Sequence, residues 1–155
     1  MRKTQTGFYF RRIFFYSLLL SFLAIFCGCS NLPKEHKIVT PKDGIITIPI
    51  KEINDGKVHF FTYKKSGKRI NFFVRTDGRG DLSTYFDACY ICYKKKKGYR
   101  VEGTDLICNE CSLKFRLADE VWENKDCSPI LLKNSIVNEN LIIKTEDIEK
   151  GAKLF

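Results

Sequence analysis

Histidine is scarce in this sequence, which contains only His36 and His59 among its 155 residues. Neither lies in a pattern that joins it to a serine or cysteine nucleophile and an acid, as nucleophilic catalysis requires. No pair of carboxylates indicates hydrolysis, and we predict neither histidine as a metal ligand. Four of the acids are predicted to be ordinary surface residues: Asp87, Glu102, Glu110 and Glu120. These absences leave enzymatic activity uncertain and favour a non-enzymatic protein.

The N-terminal part of the chain has an apolar run that is too short for a membrane-spanning helix. Residues 13–26 carry no charge, whereas a spanning helix needs about 20 apolar residues. The preceding residues 1–12 contain four basic side chains and no acid. A basic segment followed by a short apolar run is typical of a secretory signal peptide. We therefore predict residues 1–28 as a signal peptide.

The end of this apolar run resembles the lipobox of bacterial lipoproteins. Gly28 precedes Cys29, and the polar residues Ser30 and Asn31 follow. This pattern predicts cleavage after Gly28 and a lipid on Cys29, and residues 29–42, which are largely polar, would form the lipidated N-terminus and a linker. An uncleaved signal anchor is the alternative. Either arrangement leaves residues 43–155 as a membrane-anchored domain that faces the periplasm or the cell exterior.

Positive charge is in excess but does not indicate a nucleic-acid-binding protein. The formal net charge is +9, and four of the positive charges lie in the predicted signal peptide. The run from Lys94 to Lys97 is predicted as a solvated loop suited to docking an acidic partner. An exported protein rarely meets nucleic acid, so no nucleic-acid partner is predicted.

The domain itself is predicted as α+β and mainly β. Turn sequences separate the first strands, so we predict a small β-meander, with Pro49 favouring an edge position. Thr145 followed by two acids predicts the start of a short C-terminal helix that ends before Gly151. The predicted strands are 45–50, 57–64, 69–75, 83–88 and 141–144.

Two cysteine pairs indicate the chemistry of the domain. Cys89 and Cys92 form one C-x-x-C pair, Cys108 and Cys111 form another, and fifteen residues separate the pairs. The two-residue gap lets both sulfurs of a knuckle face one ion, and the intervening segment can fold back as a hairpin. This spacing predicts a metal centre with four sulfur ligands. A fifth cysteine, Cys127, makes the number odd, which argues against a framework built only of disulfides.

Three interpretations of the cysteines remain open at this stage. The first is an iron or iron–sulfur centre held by Cys89, Cys92, Cys108 and Cys111, with Cys127 as a further ligand or neighbouring thiol. The second is a structural zinc module that recruits partners, because spacing alone does not separate zinc from iron. The third is a thiol–disulfide exchanger outside the cytoplasm. Covalent haem is excluded, since Tyr93 and Ser112 stand where C-x-x-C-H needs histidine.

The order of the motifs resembles the FtrD-like family of membrane-associated iron–sulfur proteins over about residues 43–155. The resemblance rests on Asp87-Ala88-Cys89-x-x-Cys92, Gly98-Tyr99, Cys108-x-x-Cys111 and Cys127-x-Pro129. It implies an iron–sulfur cofactor, a link with ferrous iron uptake, and an iron permease or redox protein as partner. All five cysteines of residues 43–155 match those of the family, although Lys125, Asp126 and Ser128 depart from its usual residues around the last cysteine.

Overall fold

The structure, a computed structural model, describes residues 33–120, 122 and 127–155. The predicted signal peptide and Cys29 lie outside these residues, so both stay predictions. No helix in the described part of the chain is long and apolar enough to cross a membrane.

Short strands dominate the described residues, and one short α-helix, α1, lies near the C-terminus. Single 3-10 turns occur at Ile50–Glu52, Tyr93–Lys95 and Lys150–Leu154. In chain order the elements are β1 (Lys37–Val39), β2 (Ile45–Pro49), β3 (His59–Lys65), β4 (Lys68–Thr76), β5 (Leu82–Cys89), β6 (Tyr99–Glu102), β7 (Asp105–Cys108), β8 (Lys114–Arg116), β9 (Pro129–Leu131), β10 (Ser135–Val137), β11 (Asn140–Lys144) and α1 (Thr145–Glu149). The predicted mainly β fold with a short C-terminal helix is confirmed.

The central sheet has the order β1-β3-β4-β5-β9, and its three long strands form an antiparallel meander. Side chains alternate between the two faces of a strand, so the run of buried residues in β4 shows that both faces are covered. Phe72 and Phe86 point into one core, while Phe73 and Tyr85 point into a second core on the opposite face.

The first face of the central sheet is covered by the sheet β10-β11-β2 and by α1. Ile46, Ile48, Leu141 and Ile143 are buried there. The segment 45–50 was predicted to open the meander, and this pairing is wrong because β2 pairs with β11 instead. The 3-10 turn at Ile50–Glu52 redirects the chain after β2. β2 is an edge strand, as its proline predicts.

The second face is covered by the small sheet β6-β7-β8, which carries one cysteine pair. Strands β6 and β7 form the hairpin that the spacing of the cysteine pairs predicts. Tyr99, Leu106 and Phe115 pack from this sheet onto Phe73 and its neighbours. The two covering layers thus lie on opposite faces of β4 and β5.

Part of the predicted linker is packed on the domain. Residues 29–42 were predicted as an N-terminal linker, but β1 pairs in parallel with β3. Pro33 is buried, although the two residues after it, Lys34 and Glu35, are charged and exposed. Polar composition misleads here because backbone carbonyls of this segment accept hydrogen bonds from side chains of β4.

A buried arginine holds a loop over the second core. The Arg75 guanidinium is 1% exposed, donates hydrogen bonds to the carbonyls of Leu117, Asp119 and Glu120, and lies 4.0 Å from the Trp122 ring centroid. A buried charge is tolerated only when it is paired in this way.

We expect Arg75→Met to lower the free energy of unfolding by about 2 kcal/mol, because three backbone carbonyls lose a buried charged donor. The measurement is urea denaturation followed by Trp122 fluorescence. Arg79→Met, which removes an exposed guanidinium four residues later, should change stability by less than about 0.5 kcal/mol. Equal effects of the two variants would contradict the assignment.

Candidate metal centre

The first cysteine pair stands where β5 leaves the central sheet. The register between β5 and β9 shifts between Phe86 and Cys89, and Cys89 pairs with Pro129. The chain then turns, so that the Cys92 amide donates a hydrogen bond to Cys89 Sγ over 3.3 Å. An amide directed at a sulfur is the arrangement expected of a metal-binding knuckle.

The second pair stands where β7 ends. Cys108 is opposite Tyr99 in the β6–β7 hairpin, and its own amide donates to the Leu113 carbonyl over 3.0 Å. Ser112 has φ of +60° and donates its amide to the Cys108 carbonyl, which closes a tight turn around Cys111. The second knuckle therefore repeats the first at the end of a different strand.

The four sulfur atoms of Cys89, Cys92, Cys108 and Cys111 all lie within 4.8 Å of one another. A tetrahedral ion with metal–sulfur bonds of about 2.3 Å has sulfur–sulfur edges of about 3.8 Å. The donor set therefore fits a metal, and its compactness suits a single ion well. A cluster of several irons needs its ligand sulfurs further apart, because they then bind different irons.

Cys127 lies beside this set. Its thiol is within hydrogen-bonding reach of the sulfurs of Cys89 and Cys111, although it is not one of the four mutually close sulfurs. The Tyr99 hydroxyl donates to the Cys127 carbonyl over 2.9 Å and so holds this residue against the second core. The structure thus brings all five predicted cysteines together but separates the fifth from the compact four.

The thiols differ in how easily they ionise. Burial opposes ionisation of Cys89, but hydrogen bonds from the amides of Cys92 and Ile91 bring its pKa below the ordinary value. Burial likewise opposes ionisation of Cys111, where the Leu113 amide and neighbouring thiols lower the pKa. Burial raises the pKa of Cys108, and it also raises the pKa values of Cys92 and Cys127. A bound cation would replace the protons on these sulfurs.

Side chains of the second core cover one side of the site, and the other side is exposed to solvent. Cys89 and Cys108 are buried beneath Phe73, Tyr99 and Leu106, whereas Cys111 is exposed. Tyr90 and Ile91, between the first two cysteines, are 64% and 58% exposed. A metal held here would have a dry interior side and a short path to the protein surface.

Asp87 is part of the surroundings of the site, which the sequence analysis missed. The prediction that it lies on the surface is wrong, since it is 6% exposed and accepts the Tyr99 amide over 2.7 Å. The other three acids predicted to lie on the surface are exposed. Alternation along β5 could have revealed Asp87, because it lies two residues before Cys89 and shares its face.

The two histidines have different environments. His59 contacts Asp55 over 2.7 Å and its side chain is 24% exposed. His36 lies in the predicted linker, but its ring is packed against Phe60 on the central sheet. Neither histidine belongs to the group of four close metal-ligating side chains.

We expect Cys108→Ser to abolish stoichiometric metal binding, because the compact set loses a buried sulfur. Cys127→Ser should keep the metal, because this sulfur stands outside the four. Metal analysis of both full-chain variants, purified in parallel, gives the comparison. Loss of metal from both would make Cys127 an obligatory ligand and contradict the four-sulfur assignment.

Alkylation of the metal-free protein should begin at Cys111. A lowered pKa gives more thiolate at a given pH, and Cys111 is exposed, whereas burial raises the pKa of Cys127 to about 12. As the pH is raised from about 6 to about 9, iodoacetamide should label Cys111 at a lower pH than Cys127. Peptide mass spectrometry measures the order, and metal loading should protect Cys111. Earlier labelling of Cys127 would contradict the prediction.

Comparisons with known proteins agree with this site. The family model described as "Membrane iron-sulfur containing protein FtrD-like" matches residues 53–155. No curated protein and no solved structure matches the chain. The matched part includes both knuckles, Cys127 and most of the central sheet. The chain belongs to the FtrD-like family of membrane iron–sulfur containing proteins.

Proposed function

We propose that this protein is an exported, membrane-tethered iron protein that transfers electrons or handles iron for a ferrous iron uptake system. The observation that carries the proposal is the convergence of four cysteine sulfurs within 4.8 Å beside an open surface. Membership of an iron–sulfur family supports iron as the native metal. Iron takes thiolate ligands in both mononuclear and cluster centres, and the compactness of this set suits the mononuclear form better.

The ligand set supports electron transfer better than catalysis on a bound substrate. Four protein ligands around one tetrahedral ion leave no open position, whereas catalytic metal sites keep one for water or substrate. Electron transfer needs no open position, only a short path to the partner. Cys111 and the exposed tip formed by Tyr90 and Ile91 provide that path.

The residues around the sulfurs would tune a reduction potential. Amide hydrogen bonds to thiolate sulfur stabilise negative charge, and the Cys92 amide makes one to Cys89. Aromatic side chains of the second core keep water from the buried side of the site. The sulfurs would hold the metal, and the metal, when bound, would accept and release the electron.

Attachment to a membrane would bring the protein close to its partner. The predicted signal peptide and lipidated Cys29 would tether the domain outside the cytoplasm, beside an iron permease or a membrane redox protein. The exposed lysines 94–97 lie directly after the first knuckle. They would offer positive charge to an acidic partner surface.

A structural zinc module is the second candidate, and one observation favours it. The compactness of the four sulfurs suits a single tetrahedral ion, and zinc takes four thiolates in closed structural sites. Such a site would stabilise the β6–β8 sheet without redox chemistry. Colour separates the two candidates, because zinc thiolates do not absorb visible light.

The test is metal and sulfide analysis of the full chain, purified without air, together with its absorption spectrum. We expect iron, with sulfur-to-iron charge-transfer bands that bleach reversibly on reduction. The ratio of iron to acid-labile sulfide then distinguishes a mononuclear site from a cluster. The Cys108→Ser variant is the control and should be colourless. Colourless protein with one zinc would overturn the proposal in favour of the structural module.

A further inference from the structure

The first residues that the structure describes follow a defined path on the domain. We call residues 33–39 the N-terminal strap. Arg69 Nη1 donates to the Pro33 carbonyl over 3.1 Å, and Asn71 Nδ2 donates to the Lys34 carbonyl over 2.6 Å. The strap ends in β1, which pairs with β3. It is therefore part of the folded domain.

Glu35 and His36 attach the strap further. Glu35 forms ion pairs with Lys64 and Arg69, at 2.7 and 3.1 Å. The His36 amide donates to Thr62 Oγ1 over 2.8 Å. Because these contacts come from both β3 and β4, they hold the strap across the same face of the central sheet that carries the second core.

The His36 side chain reaches the surroundings of the metal centre. Its ring stacks on Phe60 with centroids 5.0 Å apart, and its Nε2 lies 3.4 Å from Asp87 Oδ2. The exposed fractions of the two side chains are 14% and 6%. Nε2 makes no hydrogen bond to the described residues, so the Asp87 carboxylate is its polar contact. A carboxylate this buried requires compensation from its neighbours.

Asp87 in turn connects both cysteine knuckles. It precedes Cys89 by two residues in β5, and its Oδ1 accepts the amide of Tyr99, which is opposite Cys108 in the hairpin. Gly98 leaves room for this contact, since a Cβ at its position would overlap the Asp87 carboxylate. The Asp87 carboxylate therefore fixes β5, which leads into the first knuckle, against β6, which lies beside the second knuckle.

We propose that His36 is a positioning residue of the metal centre, which holds the Asp87 carboxylate in the orientation that keeps the two knuckles together. The inference rests on the metal centre of the proposed function but not on the identity of its metal. It makes the strap, which follows the predicted membrane anchor directly, a part of the metal site. His36, which the sequence analysis placed in a linker, would thereby position the Asp87 carboxylate.

The test compares His36→Ala and His36→Gln with His59→Ala in the full chain. His59 is a matched control, because it also contacts an aspartate but lies among residues outside the metal site. The probe is cobalt(II) bound to the metal-free protein, with thiolate-to-cobalt absorption as the readout. Four thiolates bind cobalt whether the native metal is iron or zinc, so a failure of this inference is distinguishable from a failure of the proposed function.

We expect His36→Ala to weaken cobalt affinity by about 10-fold, the lower end of the range found for residues that hydrogen-bond to metal ligands, because His36 acts through Asp87. His36→Gln, which keeps a polar side chain that can contact the Asp87 carboxylate, should recover a large part of the loss. His59→Ala should bind like the unmodified chain. Unfolding of each metal-free variant by urea is measured alongside, since a purely structural role would lower stability without a specific loss of affinity.

Asp87→Asn provides a second route if His36→Ala does not fold. Combined with His36→Leu, which has no polar side-chain group, it should weaken cobalt binding by much less than the product of the two single effects, because both act through one contact. Unchanged affinity in the His36 variants would overturn the proposal. An equal loss of cobalt affinity in His59→Ala would overturn it as well. So would losses of affinity that parallel, in every variant, the losses in stability of the metal-free protein.

Discussion

The meeting of four cysteine sulfurs at one end of the central sheet is the constraint on which the rest of the structure depends. Two unit charges about 4 Å apart repel by about 4 kcal/mol at an effective dielectric constant of about 20. Four thiolates within 4.8 Å therefore need a cation between them. The β6–β8 sheet has strands of three or four residues, so the energy of metal binding is also energy of folding for this layer.

Strand β5 contributes side chains to both hydrophobic cores. Phe86 packs into the core beneath the β10-β11-β2 sheet and α1, while Tyr85 and Cys89 belong to the opposite core. The first core supplies a rigid platform without any metal ligand. The second core is aromatic and dry, and it presents the sulfurs at its edge. The two faces of β5 thus belong to different cores, and only one of these cores contains cysteines of the candidate site.

Much of the site was predictable because it depends on short spacings. Two C-x-x-C pairs place their sulfurs by local turns, and fifteen residues suffice for a hairpin that brings the pairs together. Strands β3, β4, β5 and β11 and helix α1 also follow from local pattern. The pairing of β2 with β11 was not predictable, since apolar strands do not specify partners distant in the chain. The burial of Asp87 was missed because its compensating groups come from residues 36 and 99.

The sequence by itself determined the two cysteine pairs as the candidate site, the mainly β character and the short C-terminal helix, because each depends on residues close together in the chain. Only the tertiary structure decided that Cys127 stands beside the compact four sulfurs and that Arg75 holds the loop over the aromatic core. It alone turned part of an apparent linker into a strap with His36 against Asp87. These features depend on contacts between distant segments, whose energies arise from burial and partner geometry and leave no periodic pattern in the sequence.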